Sequence, residues 1–524
     1  MNRQRLIVFA VVLLFAASFS GCGGGNGYNP PPPPPHQTPT ISISPTTATV
    51  TLRSVFTFQM VVGGTPTPTV ACGIAGPGSL AVSGNALNYA APTDTPASWS
   101  ASISCTAKNE VGEDTQTAAV SLEYPKPQIS FPEGLTPVTW CWAKCGTVYT
   151  VIASGVFSGV TQLDSDATLV GVTLQPDGSI QVALDFGLSD TKLNDPGFYE
   201  IWAANPSPGG GESNHLRIAR LGNQNMLAVS PTRIYQMVRS IGKVYIYDYA
   251  GNKIGEFASS APIVQIATDD RTGYVLESPH SGEYLSIFDS DGGYLGWVNN
   301  GNLILSIAGG GGYGCVSEPW PGPPWNGSIG TFDLMQGVSG QLPMVSTIVG
   351  GYPFALAIAK LGDEFSCLAY DAANPRLLGV TLPGAVLSMS LTLSDLTTLD
   401  DVAAKEGWGD WELAEANGVG ALLHTYDKKL VLVNLSTGVE MHRLSLEGVA
   451  FRLAADPLHN AVVVATCDVV AGETHFLRVD VTAGTSTALA AEWNDLAAGL
   501  RISPDGTKLV VGARGGRLGM LENR

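Results

Sequence analysis

The sequence predicts an all-β protein of several domains, and three observations carry that prediction. Only 14% of the 524 residues are charged against 44% apolar, with 62 Gly and 34 Pro. Low charge and abundant turn formers favour short strands joined by turns over amphipathic helices. Between Thr40 and Glu123 apolar and polar side chains alternate with period two, the spacing of strands that bury one face. From residue 220 onward a strand-and-turn unit recurs, which implies a succession of similar sheets. A chain this long exceeds one core and divides into three or four domains.

The N-terminus reads as an export signal. Arg3 and Arg5 precede an apolar run from Leu6 to Phe19 that is broken only by Ser18. A run of this length is too short to span a bilayer of roughly 30 Å. The following Phe19-Ser20-Gly21-Cys22 resembles a lipobox, where a bacterial lipoprotein is cut and acylated on its cysteine. The resemblance implies a signal peptide over 1–21, a lipid on Cys22 and an extracytoplasmic chain. Gly23 after the cysteine is similar to the sorting pattern of outer-membrane lipoproteins, which places the protein at the outer membrane or cell surface. Residues 22–39 hold Gly23-Gly24-Gly25 and six prolines, Pro30 to Pro35. Glycines make a loose tether and prolines a stiff extended spacer, so this segment is a stalk.

Residues 40–123 form the first predicted sandwich. Phe56, Phe58, Met60 and Val62 share one strand face, Trp99, Ala101, Ile103, Cys105 and Ala107 a second, and Ala118, Val120 and Leu122 a third. "ISISPTTATVTL", "GNALNYAAP" and "CTAKNEVGE" resemble the bacterial immunoglobulin-like domains of surface proteins. A second sandwich follows over 124–219. Its "VYTVIASGVF" and "PGFYEIWAANPSPGGGESNHLRI" resemble the IPT/TIG immunoglobulin-like fold, most strongly at Asn205-Pro206, Gly209-Gly210-Gly211 and Ser213-Asn214.

The repeat occupies 220–524. "VYIYDYAGNKIGEF" from Val244 and "LSIFDSDGGYLGWV" from Leu285 align without gaps. Their apolar-strand-then-turn pattern recurs at Asp333, Asp371, Asn434 and Asp480, with spacings of 41, 44, 38, 63 and 46 from Asp248 onward. A period near 40–45 with several strands per unit belongs to propeller blades. With "ISPDGTKLVV" and similar elements, the segment resembles YVTN/NHL-type propellers. The predicted fold is therefore two immunoglobulin-like β-sandwiches followed by a seven-bladed β-propeller. The last blade, ending in "RLGML", is expected to have three strands or to be covered by the linker after Ala219.

Function is less legible. A net charge of −18, with no cluster among the 27 Lys and Arg, argues against nucleic acid. Exported cysteines suggest disulfides. Cys72 and Cys105 are expected to pair within one sheet, closing a loop worth roughly 3–4 kcal/mol. Cys141 and Cys145 are expected to form a local bridge, because their spacing is not Cys-x-x-Cys and no second ligand pair lies nearby. Cys315, Cys367 and Cys467 fall in separate blades and read as small buried hydrophobes. "DSDGG" from Asp289 lacks the acidic twelfth position of a calcium loop, where Asn300 stands, and reads as a strand-connecting turn. "GGGGYG" from Gly309 lacks the Lys-Ser/Thr of a phosphate loop. Gly-x-Ser-x-Gly, His-Glu-x-x-His and Cys-x-x-Cys-His are missing, and the seven His show no ligand spacing. No catalytic residue, metal or cofactor is therefore assigned.

Two segments break the repeat and are the candidate ligand face. One carries Glu318, Trp320 and Trp325. The other, behind the 63-residue spacing, carries Trp408, Asp410 and Trp411 with neighbouring carboxylates. Trp beside carboxylate suits a sugar ring or a cation. The leading expectation is a non-catalytic surface lipoprotein whose propeller binds a glycan or an envelope protein. The alternatives are a propeller hydrolase or lyase, which would show His, Arg and carboxylate converging in the axial pocket, and an envelope assembly scaffold.

Overall fold

The computed structural model describes residues 35–135, 137–140, 146–175, 179–185, 196–221, 226–259, 263–279, 284–299, 304, 306–318, 327–398 and 411–524. Cys22, Cys141, Cys145, Trp320, Trp325, Trp408 and Asp410 lie outside these residues. The described chain is strands, turns and short 3-10 segments, and no helix in it is long and apolar enough to cross a membrane. It divides into two compact units, 1–122 and 123–524.

The first unit holds two four-stranded sheets. One joins Gln37–Ser44, Val55–Thr65, Ala86–Ala90 and Ser79–Ser83; the other joins Thr47–Thr51, Glu113–Glu123, Ser100–Lys108 and Thr69–Ala75. Period-two alternation buries one face of each, with Phe58, Met60, Leu87 and Tyr89 inside one sheet and Ile103, Cys105, Ala118 and Val120 inside the other. Cys72 and Cys105 stand directly opposite in an antiparallel pair and are bonded, with S–S 2.11 Å.

The second unit opens with another two-sheet sandwich. Val151, Val182 and Leu184 from one sheet meet Ile201, Ala203 and Ile218 from the other in one core. The Asn-Pro…Gly-Gly-Gly…Ser-Asn motif has a physical role here. Buried Asn205 donates from Nδ2 to the carbonyls of Pro125 (2.8 Å) and Gly155 (2.7 Å) and accepts from the Thr161 hydroxyl. Asn214 makes two bonds to the Ile129 backbone, one from Nδ2 and one to Oδ1. Gly209 and Gly210 turn the chain between them at φ 68° and 64°, a region that disfavours side chains. The last strand, Leu216–Leu221, runs through the expected boundary after Ala219. Its Ala219 and Leu221 join Val463, Leu500, Leu509 and Val511 in one apolar core, so the sandwich is seated on the repeat. Arg514 locks that seat, donating to Asp166 (2.9 Å) and the Phe198 carbonyl (3.0 Å) over the Tyr199 ring.

From Leu227 the described residues form seven successive sheets of antiparallel strands, the second with an added parallel edge strand, Gly340–Leu342, in a propeller-like arrangement. Their first strands are Leu227–Val229, Ile263–Thr268, Ser306–Gly310, Pro353–Leu361, Trp411–Ala416, Val449–Asp456 and Gly499–Ile502. Each first strand neighbours the next, and the last neighbours the first. The repeated Asp or Asn shapes the hairpin after the third strand: Asp289 Oδ1 accepts from the amides of Asp291 (2.9 Å) and Gly293 (2.7 Å), and Asp248, Asn434 and Asp480 do the same in their turns. The seventh sheet has three strands, Gly499–Ile502, Lys508–Ala513 and Arg517–Glu522. It meets the first through side chains rather than a shared strand. Buried Gln236 donates to the carbonyls of Ala513 (3.2 Å) and Arg517 (2.8 Å), Tyr247 donates to Gly516, and Leu227, Ile234, Tyr247 and Val510 pack together.

One expectation about the cysteines is overturned. Cys315 and Cys367 are not separate apolar fillers but a disulfide, S–S 2.23 Å, between the second strands of the third and fourth sheets. Those strands face each other across the sheet interface, a proximity that the 52-residue separation hides. Cys467 is buried and unpaired among the described residues, and burial pushes its thiol up to about 12.

Candidate functional sites

Several concave sites lie among the described residues, and two of them differ sharply in chemistry. The first is the axial channel, about 360 Å³, walled by first strands of all seven sheets. Its wall is largely small or apolar, with Ala228, Ala308, Ala355, Ala414 and Ala454 among the lining residues. The fifth and seventh sheets set Glu412 and Arg501 into this wall, and Arg452 of the sixth sheet is buried beside Glu412. Arg452 is fully buried; its Nη1 donates to Glu412 Oε1 (3.0 Å) and its Nε to the Ala498 carbonyl (2.9 Å). The Leu453 amide donates to the other Glu412 oxygen at 2.9 Å. Burial raises the Glu412 pKa, and Arg452 and Arg501 oppose that shift. Arg501 lines the channel itself. Arginine and carboxylate do converge here, but the lining residues include no histidine.

The second site is an aromatic groove of about 570 Å³ on the outer part of the second sheet, lined by Ala258, Tyr284, Ser286, Phe288, Tyr294 and Trp297. Alternation explains it: Tyr284, Ser286 and Phe288 share one strand face, and Ser286 and Phe288 stand opposite Trp297 and Tyr294 on the next strand. Tyr284 is 43% exposed and Tyr294 58%. The aligned positions of the first sheet show why the groove opens in the second sheet and not in the first. Where the second sheet has Ser286, Tyr294 and Trp297, the first has Tyr245, Lys253 and Glu256. Those three fill their own space, with Lys253 Nζ 3.6 Å from the Tyr245 ring centre and 2.6 Å from Glu256. Replacing the tyrosine by Ser286 and the ion pair by two rings leaves an open aromatic cleft.

The residues expected to bind ligand are placed differently. Trp411 is 1% exposed, packed edge-on to Phe354 (5.2 Å) and His424 (5.8 Å) and tilted against Tyr370. It is a core residue between the fourth and fifth sheets, because the first strand of a sheet buries both faces. Glu318 is 5% exposed and accepts from the Ser328 hydroxyl at 2.8 Å on the neighbouring strand. The expected set thus contains neither the groove residues nor the channel arginines. Signals for both existed: Arg452 is the one basic residue in the apolar strand Val449–Asp456, Arg501 is the one charge in Gly499–Ile502, and Trp297 stands where the aligned repeat has Glu256. Among the described residues no group of three His, Cys, Asp or Glu is placed to hold a metal ion.

No family model and no curated protein matches the sequence. Solved structures do. A chain of the mitotic checkpoint complex aligns at 12% identity over 57% of this chain and 87% of its own, TM-score 0.44. A chain of Kuenenia stuttgartiensis hydrazine synthase aligns at 13% identity over 57% and 95%, TM-score 0.45.

Proposed function

We propose that the protein is a non-catalytic surface lipoprotein that binds a glycan through the second blade of a propeller. In this reading residues 1–21 are the signal peptide, Cys22 carries the lipid at the outer membrane and 22–39 are the stalk. An immunoglobulin-like domain over 40–123 and an IPT/TIG-like domain over 124–219 are spacers, and a seven-bladed propeller over 220–524 is the binding part. The observation that carries it is the groove of Tyr284, Phe288, Tyr294 and Trp297 around Ser286. Tyr and Trp offer flat apolar faces with a polar edge, which suits a sugar ring with its mixed C–H and hydroxyl surface. A groove of this volume falls in the range of small-ligand sites. The axial carboxylate favours binding over catalysis, since Arg452 and the Leu453 amide already occupy both oxygens of Glu412.

The test is a glycan array and an envelope-polysaccharide panel probed with the mature chain. Binding is expected to weaken at least about tenfold in Trp297→Ala, or ~1.4 kcal/mol. A glycan hit unaffected by Trp297→Ala removes the groove from the account. An envelope protein that binds in place of any glycan, and loses affinity in Trp297→Ala, replaces the sugar with a protein partner.

A further inference from the structure

We infer that the axial channel is a second binding site, selective for a small organic anion bearing a carboxylate or phosphate, with Arg501 as its anchor. The charge balance of the wall leads there. Among the described residues where the fifth, sixth and seventh sheets meet, two guanidinium groups, Arg452 and Arg501, interact with one carboxylate, Glu412. Arg452 and the Leu453 amide take both oxygens of that carboxylate. Arg501 is left with one hydrogen bond among the described residues, from Nη1 to the Leu500 carbonyl at 3.0 Å. A planar fork with unused donors, held in a channel of low dielectric, is suited to bidentate capture of a carboxylate or phosphate. Burial presses the Arg501 pKa down; the Glu412 charge opposes that and Arg452 adds to it, so one carboxylate is shared between two guanidinium groups and a bound anion would supply the second negative charge.

The other carboxylates that line the channel have hydrogen-bond partners of their own. Glu415 is three residues along the strand from Glu412, about 10 Å. It accepts the Gly418 amide at 2.7 Å, and burial raises its pKa. Asp270 lines the same cavity and accepts the Gly311 amide at 2.7 Å. The positive charge at Arg501 is thus local, inside a chain whose net charge is −18. A cavity of about 360 Å³ admits a small molecule rather than a polymer. This site is independent of the aromatic groove, and either can fail without the other.

The experiment titrates the mature chain with inorganic phosphate, sulfate, acetate and glucuronate at constant ionic strength, balanced with chloride and read by calorimetry. At least one oxyanion is expected to bind saturably. Its affinity is expected to fall at least tenfold in Arg501→Gln and to stay unchanged in Arg524→Gln, which removes a solvent-exposed arginine. A response to phosphate and sulfate alone assigns a phosphate ester; a response to acetate and glucuronate alone assigns a carboxylate. Should Arg501→Gln fail to fold, phenylglyoxal modification of wild-type Arg501, mapped by mass spectrometry, gives the same answer through protection by the saturating anion. The inference is overturned if no oxyanion binds saturably, if Arg501→Gln binds as wild type, or if the anion leaves Arg501 modification unchanged.

Discussion

His424 shows how a titratable side chain is used as structure in this protein. It is fully buried beside Trp411 and Tyr370, its Nδ1 accepts the Asp427 amide at 3.2 Å and its Nε2 donates to the Thr397 carbonyl at 3.2 Å. Burial lowers its pKa from 6.5 to about 4, against the opposing charge of Asp427. An unfolded imidazole takes up its proton near pH 6.5 and the folded one only near pH 4, so the unfolded state binds more protons in between. Stability is full above pH 6.5 and falls as pH drops towards 4, by about 3 kcal/mol for this group. Denaturant titrations of wild type and His424→Gln between pH 7 and pH 4 measure it. The wild type is expected to show the steeper loss, and parallel curves would mean that His424 does not drive it. This residue was not singled out from the sequence, because nothing in "ALLHTYD" reveals the Trp411 and Tyr370 rings that close over it. Trp411 was singled out, for its carboxylate neighbours, and proved to be core for the same reason.

Pairing between elements is where the sequence was most and least informative. Period-two alternation identified the faces of Val55–Thr65 and Ser100–Lys108 correctly, since a strand with one buried face writes its orientation into the residue order. The repeated Asp was legible as a turn former because its role is local, a side-chain oxygen bonded to amides two to four residues on. The Cys315–Cys367 bond was not, because it depends on the interface between two whole sheets. In the chain-entropy treatment a bridge separated by 52 residues contributes about 4 kcal/mol. Replacing both cysteines by serine is expected to lower the unfolding free energy by about 2–4 kcal/mol under oxidising conditions. Calorimetry of wild type and double variant, each with and without reductant, checks this: the wild type should lose about 2–4 kcal/mol more on reduction than the variant, which keeps the Cys72–Cys105 bond. An equal loss in the two proteins would show that the Cys315–Cys367 bond does not form or constrains nothing.

At the scale of the molecule, the second compact unit is a sandwich and a succession of sheets that share a core. A cut after Ala219 would divide the strand Leu216–Leu221 and expose Ala219 and Leu221, which pack with Leu500, Leu509 and Val511. Binding studies therefore need the mature chain. The spacing of the repeat anticipated the order of the sheets, but not which of them would carry a site. That depended on Ser286 standing where the first sheet has Tyr245, a difference that matters only once neighbouring sheets enclose the space. Entry of ligand into this groove is checked by hydrogen exchange of the mature chain with and without a saturating array-selected glycan. Slowed exchange is expected in peptides covering Tyr284–Phe288 and Tyr294–Asn299, with no such change at Trp411–Ala416. Protection that appears elsewhere and spares both strands of the second sheet would contradict it.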